Sequence, residues 1–401
     1  MNRSGSGRST VLLVFPYYIG HEGTGASGVK EVIAGIIAGA DRGRFEFIVA
    51  APAPGPFDSA FVSAGARMVY LGFGRHLVVR RLKNPLYYLS YSLLLVRCVL
   101  RLIAICRRER IDLVHSHSSA FLGAAFAARL LRIPHVTHVH EILDYLPPFV
   151  LRLYNRVIAA LSDRVVIIAS VLKPLFDFKA AGAPRVVTVF NGIDAGKFTP
   201  DRGGRAFREK FGVKNRHKVI GYLGRVAPKK GVHHLIAALP AVIERVPDSL
   251  LVIVGDADEP EDFPYRDSLH RLVESMNLGD RVIFTGSVRD SAAALASFDL
   301  LALASPTDTA PVSILEAMAM RKPVVAASRG GARDMVEHGV TGFIAEPRDE
   351  KAIAEAVVSI LEDEELMTRF GAAARARVEK LFSHGVMARK TQALYEELLS
   401  R

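Results

Sequence analysis

The sequence contains no tryptophan and only two cysteines, Cys98 and Cys106. Eight residues apart on one helix, the two would be separated by about 12 Å of axial rise, too far to bridge. Reduced thiols are therefore expected. The opening MNRSGSGRST is polar and lacks the apolar core of a secretory leader. No run of about 18 uncharged apolar residues, the length a membrane span requires, is present. Together these shortages point to a cytoplasmic protein. The lack of tryptophan and of any nucleic-acid-binding motif sets nucleic acid aside as a partner. Five histidines, His115, His117, His135, His138 and His140, fall in one span. No carboxylate or cysteine cluster at ligand spacing accompanies them, so no metal is expected there.

What is present is a globular composition. Half of the 401 residues are apolar and 23% are charged. That length suits two α/β domains of ordinary size. The net charge of +11 favours anionic partners, such as nucleotide diphosphates or an anionic membrane surface.

The most informative stretch runs from Asp299 to Glu346. LLALAS is a short apolar run suited to a buried parallel strand. Asp308 lies in the turn after it, and Pro311 fixes φ at the start of a helix that carries Glu316. Arg321, Lys322 and Pro323 close that helix, PVVAA forms the next strand, and Gly330-Gly331 opens another helix. Two acids and two helix N-termini thus converge at the carboxyl ends of neighbouring strands, where open α/β sheets bind ligands.

The spacing Asp308-x7-Glu316, followed by Ala-Met-Ala and Pro-Val-Val, resembles the E-x7-E signature of retaining glycosyltransferases of the GT-B fold, most closely family 4. Asp308 stands where that family usually has Glu, and Thr309-Ala310-Pro311 replaces its frequent Pro-Phe-Gly. The resemblance extends from residue 11 to about 398. It includes the strand IPHVTHVHE, whose His140 aligns with the family's active-site histidine, and the segment from Gly224-Arg225 to Lys230-Gly231, which resembles the family's Gly-Arg…Lys-Gly segment, where the two cations hold the donor diphosphate. Asn191-Gly192-Ile193-Asp194, with Phe198 and Pro200, resembles the interdomain crossing.

This resemblance implies two Rossmann-like domains facing across a cleft. Residues 1–195 form the acceptor side, 196–380 bind the nucleotide sugar, and a terminal helix over 381–401 returns to the first domain. It implies metal-independent transfer of a sugar from a UDP- or GDP-sugar to a glycan or lipid-linked acceptor with retention. The donor is a substrate, so no cofactor is expected. Catalytic residues are expected at His140, Arg225, Lys230, Asp308 and Glu316. Donor contacts are expected at Gly25, Gly28, Gly224, Arg225, Lys230, Thr285, Ala310, Pro311, Val312, Ser313 and Glu316. Asp256-Ala257-Asp258 looks like the D-x-D metal motif of the other large glycosyltransferase fold, but its loop, DADEPED, reads as solvated surface.

Two alternatives stay open. Gly23-x-Gly25-x-x-Gly28 matches the dinucleotide fingerprint literally, which would make the chain an NAD(P)-dependent oxidoreductase. A true fingerprint follows its strand at once, whereas seven residues separate Phe15 from Gly23. A nucleotide-binding inactive homologue would keep the same fold. Asn84 and Pro85 read as the start of a long helix whose Ser90, Arg97, Arg101 and Arg108 share one face. Such a helix reads as half-buried against the sheet with a solvated arginine stripe; the alternative, with Arg75, Arg80, Arg81 and Lys83 close by, is contact with the inner face of the cell membrane.

Overall fold

Runs of consecutive apolar residues become strands covered on both faces, and that pattern builds both sheets of the chain. A computed structural model describes residues 7–17, 26–73, 85–143, 146–176, 185–200 and 202–400. The chain divides into two units, Met1–Gly192 with His384–Arg401, and Ile193–Ser383.

In the first unit the elements run β1 (Ser9–Val14), α1 (Ala26–Gly39), β2 (Phe45–Ala51), α2 (Asp58–Ser63), β3 (Arg67–Tyr70), α3 (Pro85–Arg108), β4 (Leu113–Ser116), α4 (Gly123–Leu131), β5 (His135–Val139), α5 (Pro148–Leu161), β6 (Arg164–Ile167) and β7 (Arg185–Thr188). The strands make a parallel 7-stranded sheet in the order β3-β2-β1-β4-β5-β6-β7. One face packs Leu13, Phe47 and Val136 against Ile33, Ile37 and Tyr395. The other packs Leu12, Ile48 and Val114 against Cys98, Leu102 and Ala124. Both cysteines are free and buried on α3, and burial pushes the Cys106 thiol up to about 12.

The second unit holds α6 (Gly204–Lys210), β8 (Lys218–Leu223), α7 (Val232–Arg245), β9 (Ser249–Val254), α8 (Phe263–Ser275), β10 (Val282–Gly286), α9 (Ser291–Ser297), β11 (Leu300–Leu303), α10 (Val312–Ala319), β12 (Val324–Ala327), α11 (Ala332–Met335), β13 (Gly342–Ala345), α12 (Glu350–Leu361) and α13 (Glu364–Leu381). Its sheet is also parallel, with 6 strands ordered β10-β9-β8-β11-β12-β13. Asp290, Asp349 and Asp363 cap α9, α12 and α13 by accepting from the amide three residues on.

The last helix, α14 (His384–Leu399), belongs to the first unit and packs on α1. Its close approach needs small residues. A Cβ on Gly39 would come within 2.6 Å of the Ala388 methyl, and one on Gly35 within 2.7 Å of the His384 ring.

Both sheets reverse their winding beside the first strand of the unit, between β1 and β4 and between β8 and β11. Loops leaving two adjacent strands in opposite directions open a crevice at that point.

Candidate active site

At the β8–β11 reversal the loops after both strands carry ionisable side chains. The strand β8 ends at Leu223, and Gly224 follows with its backbone against Gly255, where a Cβ on Gly255 would lie 2.0 Å from the Gly224 carbonyl oxygen. Next comes Arg225, whose Nε lies 3.6 Å from Asp262 Oδ2. The Tyr222 hydroxyl donates to the Arg225 carbonyl at 2.7 Å and fixes that backbone. A 3-10 turn over Pro228–Lys230 then leads through Gly231, at φ +66°, into α7. Gly231 is forced by contact as well as by φ, because a Cβ there would sit 2.3 Å from the Ala304 carbonyl oxygen.

From the β11 side, Ser305 Oγ donates to the Lys230 carbonyl at 3.3 Å. Three residues further on, the Asp308 carboxylate is ion-paired with Lys230 Nζ. The Asp308 carbonyl accepts from the Gly331 amide at 2.9 Å. Gly330 passes so close that a Cβ would stand 2.2 Å from that same oxygen. Ala310 is half-buried, Pro311 is the N-cap residue of α10, and no side chain caps this end. Val312 and Ser313 form its first turn, and the half-buried Glu316 lies in the second. Gly224, Arg225, Lys230, Asp308, Ala310, Pro311, Val312, Ser313 and Glu316 therefore share the carboxyl edge at one strand reversal. Thr285 is the penultimate residue of β10, at the far edge of the same sheet, and its hydroxyl donates to the Gly286 carbonyl at 2.9 Å.

One expectation changes in this unit. The acidic loop DADEPED is not uniformly solvated: Asp262 is buried and turns inward to Arg225. Pro311 stands at the start of α10 as its N-cap residue, at φ −69°. The sequence reading also passed over His233 and His234 in the first turn of α7. His234 Nδ1 lies 2.6 Å from Glu350 Oε1 and His233 Nδ1 lies 2.7 Å from the Tyr265 hydroxyl. The adjacent imidazole hydrogen bond holds the Glu350 carboxyl below its usual range.

In the first unit, His140 follows β5 and stacks on His138, as the two-residue period of a strand requires, with ring centroids 4.3 Å apart. Its Nε2 lies 3.2 Å from His117 Nδ1. Burial drives the His140 pKa down to about 3. His115, His117 and His138 are buried beside it and are pushed well below the usual imidazole value, first by burial and then by neighbouring imidazoles. One ligand nitrogen from each of these three lies within 4.8 Å of the others. Adjacent parallel strands thus bring together histidines that the sequence spaces apart. Beyond His140 the chain turns back: Glu141 accepts from Ser118 Oγ at 2.6 Å, Ser119 Oγ at 3.1 Å and the Ala120 amide at 3.1 Å. Gly28 lies in the first turn of α1, where a Cβ would meet nothing within 4 Å. Gly23 and Gly25 lie outside the described residues, as do Arg75, Arg80, Arg81 and Lys83.

Residues 205–377 match the family model of glycosyl transferases group 1, and residues 27–192 match that of the glycosyl transferase 4-like domain. The chain is 30% identical over 304 residues to a GDP-mannose-dependent alpha-(1-6)-phosphatidylinositol monomannoside mannosyltransferase of Mycobacterium tuberculosis, covering 71% of this chain and 77% of the relative. It is 25% identical over 345 residues to the N-acetyl-alpha-D-glucosaminyl L-malate synthase of Bacillus anthracis, covering 82% and 86%. Among solved structures, Anabaena HepE in complex with UDP-glucose superposes with a TM-score of 0.75 at 26% identity, covering 97% of this chain and 99% of that one. Nothing among these supports an oxidoreductase built on Gly23–Gly28.

Proposed function

The chain belongs to the glycosyl transferases group 1 family, and we propose that it moves a sugar from a nucleotide diphosphate-sugar to a glycan or lipid-linked acceptor with retention and without a catalytic metal. The observation that carries this reading is the meeting of Lys230 and Asp308 at the β8–β11 reversal, with the uncapped start of α10 beside them.

The hard step is departure of the diphosphate from the anomeric carbon. Negative charge grows on the leaving phosphate, and fixed cations and helix amides aimed at it lower the barrier. Arg225 and Lys230 are assigned that charge. Asp262 and Asp308 hold the two cations where the phosphates bind, and Asp308 and the first turn of α10 are assigned the sugar hydroxyls. Glu316 is assigned the ribose. His140, half-buried and kept neutral by desolvation of its ring, is assigned a hydrogen bond to the sugar. Charge neutralisation of this kind needs no divalent ion. With the leaving phosphate taking the acceptor proton on the same face of the sugar, the anomeric configuration is kept.

The similar mannosyltransferase uses GDP-mannose, and HepE was solved with UDP-glucose. Both bases therefore belong in the first experiment: thermal unfolding with a panel of UDP-, GDP- and ADP-sugars and NAD(P), each with EDTA. A donor at 100 times its Kd adds about 2.7 kcal/mol of stability. The expected result is a shift with a nucleotide sugar in EDTA, abolished by Arg225→Ala and Glu316→Ala. A shift with NAD(P) alone would overturn the reading.

The acceptor side is proposed to work at an anionic membrane surface. The outward face of α3 carries Leu93, Val96 and Leu100, exposed at 60%, 57% and 61%, beside exposed Arg97, Arg107 and Arg108. On α5, Phe149 and Leu153 are exposed at 76% and 62% beside Arg152 and Arg156. Apolar side chains flanked by arginine suit the headgroup boundary of anionic lipid. Among the described residues no helix is long and apolar enough to cross a membrane.

A further inference from the structure

The buried imidazoles of the first unit are more than the sugar contact assigned to His140 requires. His115 and His117 close β4 on one face, and the parallel register sets His115 opposite Val136, so His138 and His140 emerge on that same face. Ring centroids of His115, His117 and His138 stand 4.2, 5.1 and 5.3 Å apart. All three side chains are fully covered.

The hydrogen bonds already made decide which nitrogens remain. His115 Nδ1 lies 2.6 Å from the Tyr395 hydroxyl, and His117 Nδ1 lies 3.2 Å from His140 Nε2. His115 Nε2, His117 Nε2 and both ring nitrogens of His138 are buried with no hydrogen-bond partner among the described residues. A buried polar atom without a partner is costly and calls for one. Here four such nitrogens belong to three rings of one cluster, each of which offers a ligand nitrogen within 4.8 Å of the others.

We propose that His115, His117 and His138 form a buried site for one first-row transition cation of the zinc type. None of the three offers an oxygen, which sets aside calcium and magnesium. Three imidazoles with an open fourth position suit zinc. Nitrogens bound tetrahedrally to zinc are about 3.4 Å apart, as follows from Zn–N bonds of about 2.0–2.1 Å. Closing the set from within 4.8 Å takes rotation of the rings about χ2, a soft torsion for imidazole. The outer contacts support the required tautomers. With His115 Nδ1–H donating to the Tyr395 oxygen and His117 Nδ1–H donating to His140 Nε2, as those distances allow, both Nε2 lone pairs would be left for the metal. The three histidines belong to the first unit alone, and the role proposed for the cation is structural or regulatory. Through His117, occupancy would fix the tautomer and orientation of His140.

The test uses the full chain, stripped with chelator, dialysed and titrated with Zn2+ against a chromophoric chelator. One tight equivalent is expected. X-ray absorption of the loaded wild-type protein should count at least three imidazoles around zinc. Folded His138→Phe and His115→Phe should bind on the order of 100-fold more weakly or not at all, and Tyr395→Phe about 10-fold more weakly. His233→Ala, which removes a histidine in the other unit, should bind as wild type. No bound equivalent, fewer than three imidazoles, or undiminished affinity in a folded His138→Phe would overturn the site. The absorption measurement needs no variant, so it decides the matter even where the substituted chains do not fold.

Discussion

Lys230 and Asp308, 78 residues apart in sequence, form an ion pair at the carboxyl edge of the second sheet. They meet because β8 and β11 are neighbours in space while their following loops belong to different crossovers. Gly231 and Gly330 let the two loops close without a Cβ between the backbones.

Lys230→Ala should lower kcat for sugar transfer about 100- to 1000-fold, the usual cost of removing one preorganised group that stabilises developing negative charge. Arg225→Ala should act in the same range. The pair is shared, so Lys230→Ala and Asp308→Ala should be non-additive when combined, with a coupling of about 0.5–3 kcal/mol in a double-mutant cycle on kcat/KM. Additive losses would show that the two side chains act separately.

Gly330→Ala and Gly28→Ala should differ in sign. At Gly330 the new methyl would press on the Asp308 carbonyl from 2.2 Å, and rigid backbone cannot yield, so a loss of about 1–3 kcal/mol is expected in urea denaturation. Donor affinity should fall with it. At Gly28 the space is open and the residue is helical, so alanine should be neutral or stabilise by about 0.5–1 kcal/mol.

Acid should destabilise the first unit early. His135 and His140 have pKa values lowered by burial to about 4 and about 3, and those of His115, His117 and His138 are also lowered from the ordinary 6.5. On acidification the unfolded chain therefore binds protons before the folded chain does. Stability should be intact above about pH 6.5 and fall below it by about 1.4 kcal/mol per pH unit for each histidine fully engaged. Glu141, raised by burial, contributes with the opposite sign but is one group. Thermal midpoints between pH 7 and 5 should drop steeply, and less steeply in His138→Phe.

Leu100→Asp and Phe149→Asp should reduce co-sedimentation with vesicles containing anionic lipid while leaving donor-induced stabilisation intact, because both side chains point outward. High salt should weaken wild-type binding by screening the arginines. Equal binding by the variants would remove α3 and α5 as the contact.

The strands were legible because parallel strands buried on both faces leave short, mostly apolar runs. FEFIVAA is β2, LLAL within LLALAS is β11, and IPHVTHVHE contains β5. Less was visible in α2, which begins at the end of a Pro/Gly-rich stretch that reads as loop. The outward face of α3 was only partly read: arginine periodicity located it, but the exposure of Leu93, Val96 and Leu100 depends on which face meets the sheet.

By itself the sequence determined the local parts of this protein: its apolar strands, the spacing from Asp308 to Glu316, and the cations at Arg225 and Lys230. Those features follow from residue type and short-range period, which a chain displays without folding. Tertiary structure alone decided the pairings. It set Lys230 on Asp308, buried Asp262 against Arg225, and gathered His115, His117 and His138 into one covered cluster. These contacts join loops and strands tens of residues apart, and their partners are chosen by strand order and register, which the packing of the whole sheet fixes.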